Sequence, residues 1–279
     1  MLTVLKLGGE LLEDRAALHS AAGAIVRLSR RDPLVVVHGG GRAIDAELKA
    51  RGLAPQFVDG LRITDDAALE AVLSVLAGRT NTALVAAIGA AGGRAVGLTG
   101  ADGSIGLATR VPLFTTVSNE QVDLGLVGQP DGHEATLVRD LLGLRYTPVV
   151  ASIGVSERGE LLNVNADTLA GHLAAVLPAD RLIVAGGTAG VLDAESRTIA
   201  QLTAEDIDAM IASGAAHSGM IAKLTACRRA LAGGVADVSI VSGRGVQDFG
   251  AAPGTRIHHG EQTVAQVPPS SLGAGRRPV

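Results

Sequence analysis

Leu2-Thr3-Val4-Leu5-Lys6-Leu7-Gly8-Gly9 and Leu34-Val35-Val36-Val37-His38-Gly39-Gly40-Gly41 are the two stretches on which the fold turns. Each is a short run of aliphatic residues that ends in glycine. A run of this length bounded by turn residues is the pattern of a strand buried on both faces. Between the two, Leu18, Ala21, Ala22, Ile25 and Leu28 recur at helical spacing from Asp14 to Arg31, and Arg30, Arg31 and Pro33 supply the stop. A further helix is expected from about Arg42 to Arg51. Strand, helix, strand, glycine turn and helix in that order are the unit of a parallel sheet.

The alternation continues along the chain. Helix signals begin at Thr64, with Asp65 and Asp66 in the first turn, and at Thr203, with Asp206 three residues on. Strand signals recur at Ala95 to Leu98, Pro148 to Ser152, Arg181 to Ala185 and Val238 to Val241. The pattern predicts a doubly wound α/β fold around a mainly parallel sheet. From Ile105 to Glu134 short alternating runs and the turn Gln129-Pro130-Asp131-Gly132 break the rhythm, and read as β-hairpins inserted at the edge or mouth of the sheet. No strong linker divides the chain, although Leu177-Pro178-Ala179-Asp180 can separate two lobes, about 1–177 and 178–265, of a single domain spanning 1–265. The segment 266–279, rich in Pro, Ser, Gly and Arg, is expected to be a loose tail.

The composition narrows the function. With 279 residues, 47% apolar content and mean hydropathy +0.33, the chain can build one large core or two joined lobes. Three Phe, one Tyr and no Trp leave the packing to small aliphatic side chains. Thirty-seven glycines point to close backbone approaches of the kind that hold phosphates. A net charge of −4 and a pI near 6.0 lack the basic excess of a nucleic-acid binder, so a small-molecule partner is expected and no nucleic acid. Cys227 is the single cysteine, which excludes an intrachain disulfide. The start lacks the pattern of a signal peptide, and apolar runs such as Ala83 to Ala91 fall short of the ~20 residues of a membrane span, so a cytosolic protein with no membrane partner is expected.

Lys6 at a strand end, followed by Gly8-Gly9, sets an ammonium beside backbone N–H groups that can approach an anion. His38-Gly39-Gly40-Gly41 before a helix repeats that logic. No G-x-x-x-x-G-K-[ST] or G-x-G-x-x-G run is present, so the phosphate site is neither a P-loop nor the dinucleotide fingerprint. The His-Gly-Gly-Gly run also serves esterases as an oxyanion loop, but those need a serine in G-x-S-x-G, which is missing. In Gly60-Leu61-Arg62-Ile63-Thr64 the arginine suits a carboxylate, or pairs at the surface with Asp65 or Asp66. Asp167 in Asn163-Val164-Asn165-Ala166-Asp167 reads alone as a first-turn residue that complements a helix dipole. Lys223 shares a helical face with Cys227 and reads alone as a surface lysine; Cys227 reads as a small buried hydrophobe.

Together, and in this order, Lys6-Leu7-Gly8-Gly9, Val37-His38-Gly39-Gly40-Gly41, Gly60-Leu61-Arg62-Ile63-Thr64, Gly97-Leu98-Thr99-Gly100, Asn163-Val164-Asn165-Ala166-Asp167, Gly219-Met220 through Lys223, and Gly254-Thr255-Arg256-Ile257 resemble the amino-acid kinase family from Leu2 to about Ile257. The resemblance implies a three-layer αβα sandwich with hairpins at the substrate end. It implies ATP-dependent phosphorylation of the side-chain carboxylate of N-acetyl-L-glutamate in arginine biosynthesis, with Mg2+ held mainly by phosphate oxygens and no metal ligand from the protein. By the same resemblance Lys6 and Lys223 flank the phosphoryl group, Asp167 holds both ammonium groups, and Gly40, Gly41, Arg62 and Asn163 bind the acceptor. Gly8 and Gly9 would line the phosphate channel, while Gly187, Thr188, Gly190, Leu192, His217 and Gly219 would hold the nucleotide, placing acceptor binding in the first lobe and nucleotide binding in the second. An acceptor that is already ionised at neutral pH needs no general base, which makes Asp167 an organiser.

The sequence departs from the family in Ala185-Gly186-Gly187-Thr188, where many relatives carry a Ser/Thr-Asp pair. Only five residues precede Lys6, which leaves no room for the N-terminal helix of arginine-inhibited hexamers, so an arginine-insensitive homodimer is expected. Two other readings stay open: a kinase for an α-aminoadipate derivative on a carrier protein, and a catalytically silent nucleotide- or amino-acid-binding regulator.

Overall fold

The structure is a computed structural model that describes residues 1–116, 119–216 and 218–259. Eight strands form the central sheet: β1 (Thr3–Leu7), β2 (Leu34–His38), β5 (Ala95–Thr99), β10 (Thr147–Ala151), β13 (Arg181–Gly186), β14 (Gln201–Thr203), β15 (Asp237–Ser242) and β16 (Gly254–His258). Their order is β14-β16-β15-β13-β1-β2-β10-β5, and every neighbouring pair is parallel except β15 with β16. The chain therefore winds outward from β1 in both directions. In such a sheet the crevice at the carboxyl ends, where the winding reverses, is the natural place for a ligand.

Period-two alternation decides what each β1 side chain faces. Leu5 and Leu7 join Val36, Val149 and Ile183 in a core under α1 (Arg15–Ser29) and α4 (Asn81–Ala90). Val4 points the other way, with Val37, Val150, Val184 and Ile240, into the core against α6 (Ala166–Val176) and α8 (Ser218–Ala232). Lys6 lies on the Val4 face, and that parity aims it at α6. Helices α5 (Thr136–Gly143) and α7 (Ala204–Ala212) complete that layer. Asp14 and Thr203 cap α1 and α7 through their side chains, Thr203 in a reciprocal capping box with Asp206.

Helix α2 (Gly41–Ala50) leaves the glycine turn after β2. α3 (Asp66–Leu73), a π-helical segment Ser74–Thr80 and α4 run on as one helix of 25 residues. This corrects the expectation that the apolar runs are short: residues 66–90 are long and apolar enough to span a membrane by length and composition alone. Here Leu84 and Ile88 are fully buried in the core below the sheet while the opposite side stays open. The start of α3 also differs from expectation. Asp65 is its cap, accepting from Ala68 N, and Thr64 lies one residue before that cap, bridged to Gly125.

The hairpin region is larger than its sequence suggested. β6 (Ala108–Arg110) and β9 (Val127–Pro130) join β11 (Ile153–Val155) and β12 (Leu161–Val164), which lie outside 105–134, in a four-stranded sheet. β3 (Phe57–Val58) pairs with β4 (Leu61–Arg62), and β7 (Phe114–Thr115) with β8 (Gln121–Val122). At Leu177-Pro178-Ala179-Asp180 the chain turns from α6 into β13, which pairs directly with β1, so one sheet crosses the expected lobe boundary. The tail 266–279 lies outside the described residues.

Candidate active site

Register brings the glycine turns together. Leu7 stands opposite His38 on one side and Ala185 on the other, so Gly8-Gly9, Gly39-Gly40-Gly41 and Gly186-Gly187 emerge at adjacent strand ends. Gly8 N donates to Ala185 O at 2.9 Å and Gly39 N to Leu7 O at 3.3 Å. A Cβ on Gly9 would lie 2.7 Å from Gly40 Cα, and one on Gly40 would lie 2.7 Å from Leu76 Cδ2 in the π-helical segment. Only glycine allows the Gly8-Gly9 and Gly39-Gly40-Gly41 turns this approach, with Leu76 packed against them.

A cavity of about 220 Å3 opens between these turns and the second sheet. Lys6, Gly8, Gly9, Gly40, Gly41, Arg62, Asn163 and Asp167 all line it. Lys6 Nζ lies 2.9 Å from Asp167 Oδ1, and both residues are 5% exposed. Asp167 is not the helix cap: Asn165 Oδ1 accepts from the N–H groups of Asp167 and Thr168, which frees the Asp167 carboxylate to face Lys6. Arg62, also on the cavity wall, does not pair with Asp65 or Asp66. It is buried, its Nη2 bonds Asp45 Oδ1 at 2.5 Å and Gly41 O at 3.3 Å, and its guanidinium stacks 4.5 Å from the Phe57 ring centroid. Its Nη1 is buried without a hydrogen-bond partner. A buried donor of that kind calls for an oxygen from a ligand. Asn163 Nδ2 donates to Thr64 Oγ1 at 2.9 Å, which orients it on the cavity wall.

The remaining expected residues lie outside this cavity. Lys223 does not reach Asp167 in an ion pair; its Nζ donates to Gly219 O at 3.2 Å, and its Cε lies 3.5 Å from where a Cβ on Gly186 would stand. Gly187 N donates to Glu10 Oε1 at 2.7 Å, and Thr188 is exposed. Gly190 has φ +131°, and the turn there is pinned by buried Thr255, whose Oγ1 accepts from Val191 N at 2.8 Å and donates to Ile199 O at 2.6 Å. Leu192, 40% exposed, borders a second, more apolar cavity of about 830 Å3 with Ile199, Leu202 and Met210. Gly219 lies in the first turn of α8, with open space where a Cβ would project. His217 lies outside the described residues. Cys227 is fully buried, and burial together with the Asp167 charge pushes its thiol far up, so it stays a neutral hydrophobe. Among the described residues no group of three His, Cys, Asp or Glu side chains is placed to hold a metal ion.

Sequence reasoning overlooked Glu10, Asp45, Phe57 and the pair His38–Asn81. His38 is fully buried beneath the glycine turn; Asn81 Nδ2 lies 3.0 Å from His38 Nε2 and 2.8 Å from Val149 O. An amide donor at Nε2 leaves the ring proton on Nδ1, which donates to Gly39 O at 3.2 Å. Burial lowers the His38 pKa to about 4, against the opposing pull of the Gly39 carbonyl. An unfolded histidine titrates near 6.5, so the unfolded chain binds the extra proton first. Stability is therefore full above about pH 6.5 and falls by about 3 kcal/mol as the pH drops to about 4. Burial also lowers the His172 pKa and contributes a slope of the same sign. The difference between wild type and His38→Asn isolates the His38 share: the urea midpoint of the variant should fall less steeply over this window.

A fold wound outward from a central strand, with a cavity of glycine turns and a buried lysine–aspartate pair at its carboxyl end, is that of a small-molecule phosphotransferase. Residues 1–242 match the amino acid kinase family, and the chain belongs to it. It is 41% identical over 247 residues to the acetylglutamate kinase of Bradyrhizobium diazoefficiens, covering 86% of this chain and 83% of that one. It is 44% identical over 218 residues to the acetylglutamate kinase of Heliobacterium modesticaldum, covering 75% and 73%. Among solved structures it resembles smu.665 of Streptococcus mutans, with TM-score 0.80 and 25% identity over 93% of this chain and 99% of that one. The carbamate kinase of Giardia shares the fold alone, with TM-score 0.64 and 15% identity over 93% of this chain and 99% of that one.

Proposed function

We propose that this enzyme transfers the terminal phosphoryl group of ATP to the side-chain carboxylate of N-acetyl-L-glutamate, giving N-acetyl-L-glutamyl 5-phosphate in arginine biosynthesis. The observation that carries the reading is one cavity lined both by the buried Lys6–Asp167 pair and by Arg62, whose buried Nη1 has no hydrogen-bond partner. The lysine suits a phosphoryl group in flight and the guanidinium an acceptor's α-carboxylate. The relatives named acetylglutamate kinase support that acceptor over a carrier-bound α-aminoadipate derivative. Retention of both lysines and Asp167 argues against a silent regulator.

Lys6 and Lys223 neutralise the transferred group, Asp167 orients Lys6, and Gly8 and Gly9 line the channel through which its oxygens pass. Lys223 must leave Gly219 O to take part, which is a rotation of a flexible side chain. Gly40, Gly41, Arg62 and Asn163 hold the acceptor. The base would lie in the apolar cavity beside Leu192, with Gly187, Thr188, Gly190 and Gly219 along the path to it, so acceptor and nucleotide fall to 1–177 and 178–265. Mg2+, when bound, would screen phosphate charge and be carried mainly on the nucleotide's phosphate oxygens. The open side of the helix 66–90, beside edge strand β5, is the surface for a homodimer.

A coupled assay of ADP release with N-acetylglutamate, glutamate, N-acetylaminoadipate, aspartate and UMP tests the reading. Release should be fastest with N-acetylglutamate; release with another acceptor and none with it would overturn the assignment. Arg62→Ala should raise the KM for N-acetylglutamate about a hundredfold and change kcat little, because a carboxylate remote from the reacting oxygen is held alike in ground and transition states.

A further inference from the structure

Building on that function, we propose that Glu10 is an internal anion seated in the nucleotide-phosphate slot, which a nucleotide phosphate must displace, so that this residue sets nucleotide affinity. The slot is cut by glycines at the ends of β1 and β13. A Cβ on Gly8 would overlap the Glu10 carboxylate, and one on Gly186 would lie 3.3 Å from Glu10 Oε1. The carboxylate accepts the Gly187 N–H at 2.7 Å and forms part of the wall that also carries Lys6, Gly8 and Gly9. A carboxylate oxygen on a backbone N–H, in a trough without Cβ atoms, occupies the position of an anionic ligand oxygen.

The cations around the slot point the same way. Lys223 Cε lies 3.5 Å, and Arg244 Nε 3.3 Å, from where Cβ atoms on Gly186 and Gly187 would stand. Neither Lys223 nor Arg244 makes an ion pair with Glu10 within 4 Å; Lys223 donates to Gly219 O instead, and the third cation near the slot, Lys6, is paired with Asp167. Cations that converge on a slot without pairing its carboxylate suit an anion with more charge and more oxygens than that carboxylate. A phosphoryl group placed on the Gly187 N–H would stand against the Glu10 charge at near contact, where like charges repel strongly in a partly buried site. Glu10 must therefore turn away. It is half-buried in the short turn Gly9–Leu11, from which its side chain can rotate toward solvent.

The test is calorimetric titration of wild type, Glu10→Gln and Glu10→Ala with pyrophosphate, ADP and adenosine in EDTA, with each variant's melting temperature as the check on folding. Gln keeps an acceptor for the Gly187 N–H without the charge, and Ala empties the slot. Both variants should bind pyrophosphate and ADP about tenfold more tightly, with adenosine affinity unchanged. Unchanged or weaker pyrophosphate binding in both, or equal tightening of adenosine, would overturn the proposal and make Glu10 a support for the Gly187 turn. Absence of ADP release from wild type with every acceptor would strike the proposed function instead, and the pyrophosphate comparison would still decide the role of Glu10.

Discussion

Lys6→Met is expected to lower kcat for N-acetylglutamate about a thousandfold and to destabilise the protein at the same time. The two losses have different causes and can be separated. Turnover falls because charge on the transferred group loses a preorganised cation in a site largely closed to water, and removal of one such donor costs roughly 10²–10³ in rate. Stability falls because Asp167, 5% exposed, is left as a buried carboxylate with no cation beside it. Breaking a buried pair by removing one partner costs about 3–5 kcal/mol. The double variant Lys6→Met/Asp167→Leu removes the stranded charge and should recover most of the urea midpoint while leaving turnover at the level of the single variant. A double variant that regains activity along with stability would mean that Lys6 only supports the fold.

That separation follows from parity on one strand, which is also why so much of the fold was legible. In Val4-Leu5-Lys6-Leu7 every other residue faces α6, so an apolar run ending in glycine states both the strand and the direction of its lysine. β1, β2, β10 and β13 fall within a residue of their expected positions because each is buried on both faces and bounded by polar or turn residues, and β15 does so although Asp237 and Ser239 are only partly covered. The strands that were missed lack that signature. β11 and β12 pair across an antiparallel turn in a sheet built from residues far apart, β14 is a three-residue edge strand, and β16 runs between β14 and β15 with Gly254, Arg256 and His258 only partly covered or exposed. The π-helical segment Ser74–Thr80 is invisible to a period count, since one wider turn barely shifts the apolar face, yet it sets Leu76 against Gly40.

The site was legible in its glycines and in its charges, but not in their partners. Arg62 could be flagged as a carboxylate ligand, whereas its contact with Asp45 crosses from β4 to the second turn of α2, and Phe57 reaches it only because β3 pairs with β4. Lys223 was expected beside Asp167 and instead donates to Gly219 O. A long side chain with several rotamers takes its position from a charge that is in place, and a phosphate would be that charge. The Gly186-Gly187 departure looked like the loss of a carboxylate. In three dimensions the Glu10 carboxylate stands on the Gly187 N–H, a separation of 177 residues being no guide to a contact across adjacent strand ends.

Asp167→Asn should reduce kcat about a hundredfold without changing the shape of the pH profile, and the shape is the informative part. An aspartate acting as general base would set an acid limb, and its removal would abolish that limb. The acceptor carboxylate, with a reference pKa of about 4.3, is already ionised through the neutral range and has no proton to surrender. What Asp167 contributes is position. Its carboxylate, freed from capping duty by Asn165, holds the Lys6 ammonium at 2.9 Å on the face of β1 that meets the glycine turns. Asparagine keeps the shape but loses the charge that orients the ammonium. Rates measured from pH 6 to 9 at saturating ATP and N-acetylglutamate should therefore form parallel curves for wild type and variant. A limb present in wild type and absent in Asp167→Asn would reassign this residue as a base.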